Sequence, residues 1–141
     1  MKSVLVVEDD TDLQLMFRMA FEGAGWTVCS ALDQPQAETA LHEQKPDAVI
    51  LDNHLDGKGM ELLDEIRHDP ATATIPVIMV TGDPTVEAEA VAAGVDAYHL
   101  KPVDLKMLVQ EVEALAAERR VFRPRPLATG PGTRFPDRRW R

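Results

Sequence analysis

Two runs of uninterrupted apolar residues, each halted by carboxylates, constrain this chain more than anything else in it. Val4-Leu5-Val6-Val7 runs into Glu8-Asp9-Asp10, and Ala48-Val49-Ile50-Leu51 runs into Asp52. Four apolar residues without alternation suit a strand covered on both faces, as in a parallel sheet sandwiched between helices. Such a sheet requires a crossover, usually a helix, between neighbouring strands. It also gathers the carboxyl ends of its strands along one edge, where open α/β sheets bind ligands. An acid closing a central strand is placed for chemistry, although Asp alone is also a common turn former.

The remaining segments supply the helices and strands that this reading demands. After the first strand comes a helix with Leu13, Met16, Phe17 and Ala20 on one face, ended by Gly23 and Gly25. Asp10 is expected to cap it. A more mixed strand over residues 26–31 suits an edge, and it holds the only cysteine, Cys29, read as a small buried residue. A short helix over 34–43 tolerates Pro35 in its first turn. The strand ending at Asp52 follows. Gly57 and Gly59 precede a helix bearing Met60, Leu62, Leu63 and Ile66, which Pro70 closes. Residues 76–81 form a fourth apolar strand ending in Thr81-Gly82, and an Ala-rich helix over about 85–93 stops at Gly94. A short fifth strand, 97–100, leads to Lys101-Pro102. The last helix carries the stripe Leu105, Leu108, Val109, Val112, Leu115 and Ala116. Met60 and Met79 are expected in the core. Five strands alternating with five helices predict a doubly wound α/β fold.

At 141 residues the chain suits one domain. No apolar run approaches the ~20 residues that span a bilayer, and nothing before Val4 resembles a signal peptide, so a cytoplasmic location is expected. The net charge of −9 hides a division. Residues 1–118 hold 7 Lys and Arg against 23 Asp and Glu, a net −16, whereas 119–141 hold 8 Arg against Asp137, a net +7. An acidic body argues against nucleic acid as the main partner, since phosphate contacts need clustered bases. Residues 121–141, rich in Arg, Pro and Gly, read as a flexible tail able to meet something anionic.

Four strands of the proposed sheet end in functional groups: Glu8 and Asp9, Asp52, Thr81 and Lys101. In a parallel sheet these converge. Three carboxylates in close quarters repel and raise one another's pKa unless a cation joins them. With oxygen ligands and no thiolates, Mg²⁺ is the natural ion. Together with an ammonium and a hydroxyl it makes a receptor for a phosphoryl group. Asp52 is then placed as an in-line nucleophile, with Thr81 and Lys101 as donors to the phosphoryl oxygens. Gly82 leaves room for the incoming donor. The four histidines, His42, His54, His68 and His99, lack metal-ligand spacing.

These motifs, Val-Val-Glu8-Asp9, Val-Ile-Leu-Asp52, Val-Thr81-Gly82 and Tyr98-x-x-Lys101-Pro102, make residues 1–120 resemble the receiver domain of two-component response regulators, the CheY-like superfamily. The resemblance implies a flavodoxin-like sheet of strand order 2-1-3-4-5. It implies that Asp52 accepts phosphate from a histidine kinase or histidine phosphotransfer protein, and that Glu8, Asp9, Asp52 and the backbone carbonyl of His54 hold Mg²⁺. It further implies a switch in which Thr81 moves toward the phosphate and Tyr98 turns inward, a cis bond before Pro102, and tuning of phosphate lifetime by His54, Gly82 and Asp83. Two loops depart from the family pattern. Asp56 stands where Asp-x-x-Leu-Pro has its proline and that loop is one position short, and the stretch from Thr81 to Lys101 is also short.

The expected function is that of a stand-alone, phosphorylatable receiver signalling to a downstream target protein through the fourth helix, fifth strand and fifth helix, with no DNA-binding or membrane-spanning part. Two alternatives stand beside it. One is a receiver-like binding module indifferent to phosphate. The other is a Mg²⁺-dependent aspartyl-phosphate phosphatase, disfavoured because such enzymes want a second Asp where His54 stands.

Overall fold

In the computed structural model, residues 2–120 are described, and the basic tail of 121–141 lies outside them. Strands β1 (Ser3–Val7), β2 (Thr27–Ala31), β3 (Ala48–Leu51), β4 (Val77–Thr81) and β5 (Ala97–Leu100) form one sheet in the order β2-β1-β3-β4-β5. Every pairing is parallel. The crossovers run through α1 (Thr11–Gly23), α2 (Gln34–Gln44), α3 (Gly59–His68) and α4 (Glu87–Ala93), and α5 (Leu105–Arg120) follows β5.

The unalternating strands are explained by two cores. Leu5, Val7, Val49, Leu51, Val77 and Met79 face one side, where Leu41 of α2, Leu62, Leu63 and Ile66 of α3 and Ala90 of α4 cover them. Val4, Val6, Ile50, Ile78 and Val80 face the other, under Phe17 and Phe21 of α1 and Leu108, Val112 and Leu115 of α5. Because alternate residues of each central strand enter different cores, both sets must be apolar. Each fully buried side chain of this size contributes ~1.5–3 kcal/mol relative to exposure.

Several local expectations hold, and some shift. Asp10 caps α1, its carboxylate accepting the N–H groups of Asp12 and Leu13. β2 lies at an edge, and for that reason Cys29 is only half-buried rather than enclosed. The buried face of α1 is Gln14, Phe17 and Phe21. Met16, expected inside, is 49% exposed. Apolar residues surround this helix (Leu13, Leu15, Met16, Phe17, Met19), so spacing alone admitted more than one inward face. β4 starts at Val77, one residue after Pro76, which has no N–H to give a ladder. The helix expected over 85–93 splits into a 3₁₀ turn, Pro84–Val86, and a seven-residue α4. Met79 is fully buried, whereas Met60 is half-buried against the core.

Candidate functional site

The sheet extends its ladders one rung past the strand ends, and the candidate residues sit on those rungs. The Glu8 N–H donates to Ala31 O at 3.0 Å, the Asp52 N–H to Val7 O at 3.0 Å, and the Lys101 N–H to Thr81 O at 2.8 Å. Backbones of residues far apart in sequence are thereby locked to one sheet edge. The Lys101-Pro102 bond is cis, in keeping with the resemblance.

Their side chains converge. Carboxylate oxygens of Glu8, Asp9 and Asp52 lie within 4.8 Å of one another. Glu8 and Asp52 are buried and Asp9 is exposed, leaving the cluster open on one side. Lys101 Nζ donates to Glu8 Oε1 at 2.9 Å and lies 3.5 Å from Asp52 Oδ2. The His54 N–H donates to Asp52 Oδ1 at 3.0 Å. Burial, with the Asp52 charge adding to it and the Lys101 and Asp10 bonds opposing it, raises the Glu8 carboxyl to about 7. For Lys101, burial works against the charge, but the bond to Glu8 and the two carboxylates outweigh it and hold the ammonium above its usual range.

Three acids thus face one ammonium. This excess of negative charge, presented by oxygen atoms alone, is the donor set of a hard divalent cation, so the residues present fit Mg²⁺. The His54 carbonyl, the expected fourth ligand, accepts the Gly57 N–H at 3.3 Å and keeps a second lone pair.

Thr81 is fully buried, and its Oγ1 accepts the Asp83 N–H at 3.2 Å. Tyr98 is half-buried, packs against the α2–α4 core and donates its hydroxyl to the Asp83 carbonyl. Thr81 and Tyr98 therefore both hold the loop that leads into α4. Gly82 is exposed with nothing within 4 Å of where a Cβ would stand. The Thr85 hydroxyl and N–H lower the Asp83 carboxyl's pKa, with a smaller contribution from His54, whose side chain is exposed.

Two residues of this edge were not singled out for it from sequence. Gly59 was read only as a chain breaker, yet a Cβ there would stand 2.6 Å from Asp52 O and 2.6 Å from Asn53 Cα. The start of α3 thus lies hard against the backbone of Asp52 and Asn53. Gln14 lies buried beside β1, and its one signal was being polar on an otherwise apolar helix face.

The response regulator receiver domain family model matches residues 4–113. The chain belongs to this family. It is 33% identical over 117 residues to the phosphate regulon transcriptional regulatory protein PhoB of Pseudomonas aeruginosa, covering 81% of this chain and 51% of that protein. The PhoB of Rhizobium meliloti is 36% identical over 115 residues, with 79% and 51% covered. The chain thus spans about half the length of these curated relatives. Among solved structures, a CheY-like receiver domain protein from Methanospirillum hungatei superposes with TM-score 0.79 at 27% identity, over 86% of this chain and 98% of that one. The signal receiver domain of a DNA-binding response regulator from Colwellia psychrerythraea gives 0.77 at 30%, over 83% and 99%. Receivers are phosphoacceptors rather than conventional enzymes, and the acidic pocket fits the Mg²⁺ typical of the family. Among the described residues no helix is long and apolar enough to cross a membrane.

Proposed function

We propose that Asp52 is the phosphoacceptor and that the group comes from a phosphohistidine on a histidine kinase or histidine phosphotransfer protein. An Asp52 carboxylate oxygen bonds to phosphorus as the phosphorus–nitrogen bond to the donor's imidazole breaks. The observation that carries this reading is the 3.5 Å approach of Lys101 Nζ to Asp52 inside a three-carboxylate cluster. Glu8, Asp9, Asp52 and the His54 carbonyl would hold Mg²⁺, which when bound would offset the charge on the transferred group. Lys101 gives the phosphoryl group a charge-assisted donor, and Thr81 a hydroxyl once it leaves its present bond. Release of the Asp83 N–H by Thr81 loosens the loop that Tyr98 also holds, so that phosphorylation alters the α4–β5–α5 face. Exposed Leu100 and Met107 give a downstream target protein apolar surface there. His54, Gly82 and Asp83 at the mouth tune the lifetime of the phosphate.

Beryllofluoride with Mg²⁺ tests this directly by fluorine NMR. A bound resonance in the wild type that vanishes in Asp52→Asn and on chelation supports it; equal signals in both proteins remove it. The phosphate-indifferent module remains a second reading because α4 is short and buries only Ala90. Equal target affinity with and without beryllofluoride would favour it.

A further inference from the structure

In the β1–β2 ladder the Thr27 N–H donates to Lys2 O, and the series closes with the Glu8 N–H on Ala31 O. In a parallel ladder the next rung would run from the Asp33 N–H to Glu8 O. That rung is missing: β2 has ended at Ala31, and Asp33 has turned away to cap α2, with its carboxylate accepting the Gln36 N–H. The side-chain amide of Gln14 takes its place. Nε2 donates to Glu8 O at 3.0 Å and reaches Ala31 O at 3.0 Å and Val6 O at 2.9 Å. Gln14 is 6% exposed, and its Oε1 is buried with no partner among the described residues. Turning the amide over would set that oxygen against three carbonyls, so its orientation is fixed by the strand ends it joins.

We infer that Gln14 is a positioning residue for the metal site: its amide replaces the missing rung and holds the backbone from which Glu8 and Asp9 present their carboxylates. The inference rests on the reading of those acids as Mg²⁺ ligands. It does not require Gln14 to touch the ion. What the cluster needs from position 14 is donors, so a guanidinium, which has five N–H groups and no acceptor, can substitute, while an apolar or short side chain cannot.

Calorimetric titration of the full chain with Mg²⁺ tests this. Wild type binds and Asp9→Asn does not; failure of wild type to bind overturns both the ligand assignment and the role of Gln14. With binding established, Gln14→Met is expected to lose about 10-fold or more in Mg²⁺ affinity, the usual scale for residues that orient ligands. Gln14→Ser, which admits water to the freed carbonyls, keeps the measurement available if the apolar variant does not fold, and the same loss is expected. Gln14→Arg is expected to stay within about threefold of wild type. Leu41→Ala, which loosens the core on the sheet face opposite α1, lowers the melting temperature without moving Mg²⁺ affinity. Folded Met or Ser variants that bind Mg²⁺ within threefold of wild type would overturn the role of Gln14 while leaving the ligand assignment intact.

Discussion

The sheet carries a buried charged cluster at each end, and the two are built on opposite principles. At the amino ends of β4 and β5, Arg67 of α3 meets Asp96 at 2.8 Å and also donates to Gly94 O, Ala73 O and Ile75 O, while Asp96 accepts the Val77 N–H at 3.0 Å. Among the described residues one cation faces one anion, and surrounding backbone groups bond to both. At the carboxyl ends, Lys101 pairs with Glu8 and Asp52 while Asp9 adds a third carboxylate to the cluster, and burial drives Glu8 toward its neutral form. The balanced cluster joins α3, the turn after α4 and the entry to β4, and it serves the fold. The unbalanced one holds an excess of negative charge that the proposed Mg²⁺ would offset. Comparable burial and similar residue types thus have opposite meanings, decided by whether the charges close among themselves.

Breaking the balanced end has the largest expected effect. Arg67→Leu leaves Asp96 buried without its main partner and is expected to cost about 3–5 kcal/mol in denaturant unfolding, with Mg²⁺ affinity of the folded protein unchanged. Gly59→Ala comes next, because its Cβ meets backbone that cannot swing aside. A loss of about 1–3 kcal/mol is expected, and unlike Arg67→Leu it slows phosphoryl uptake by displacing Asp52. The unbalanced end shows itself through pH. Glu8 keeps its proton up to about 7 in the fold against an ordinary 4.5, so the folded state binds more protons between those values. Its contribution to stability is complete below about 4.5 and is lost as pH rises through about 7. Metal-free wild type should therefore lose up to ~1 kcal/mol per pH unit from this group as pH rises between those two values, measured by thermal melting. Glu8→Gln should flatten that slope, and Mg²⁺ should oppose it in the wild type alone. The smallest effect belongs to an exposed pair with neither duty: Arg18→Ala, which breaks the 2.9 Å bridge to Glu22, should change stability by about 0.5 kcal/mol or less.

The carboxyl end was more legible in the sequence than the amino end. Glu8, Asp52 and Thr81 each follow an apolar run, Lys101 follows the short strand Ala97–Leu100, and parallel topology then brings them together. The strands themselves were readable because two covered faces leave no room for polar residues at 4–7 or 48–51. Arg67 and Asp96 follow no such rule: a basic residue in the last turn of α3 reads as solvent-exposed, and only tertiary packing encloses it. The inward face of α1 was ambiguous for the opposite reason, an excess of apolar residues that left Met16 exposed. Gln14 was passed over because the missing rung it replaces depends on where β2 ends. The short α4 follows from Asp83-Pro84, whose cap and ring favour a tight turn before a helix can begin.

Intact-mass measurement after incubation with acetyl phosphate tests most directly whether the unbalanced end is a phosphoryl receptor. Wild type with Mg²⁺ should gain a single phosphoryl group, and Asp52→Asn, or wild type with a chelator, should gain none. Equal labelling of wild type and Asp52→Asn, or no labelling of wild type with Mg²⁺ present, would contradict it.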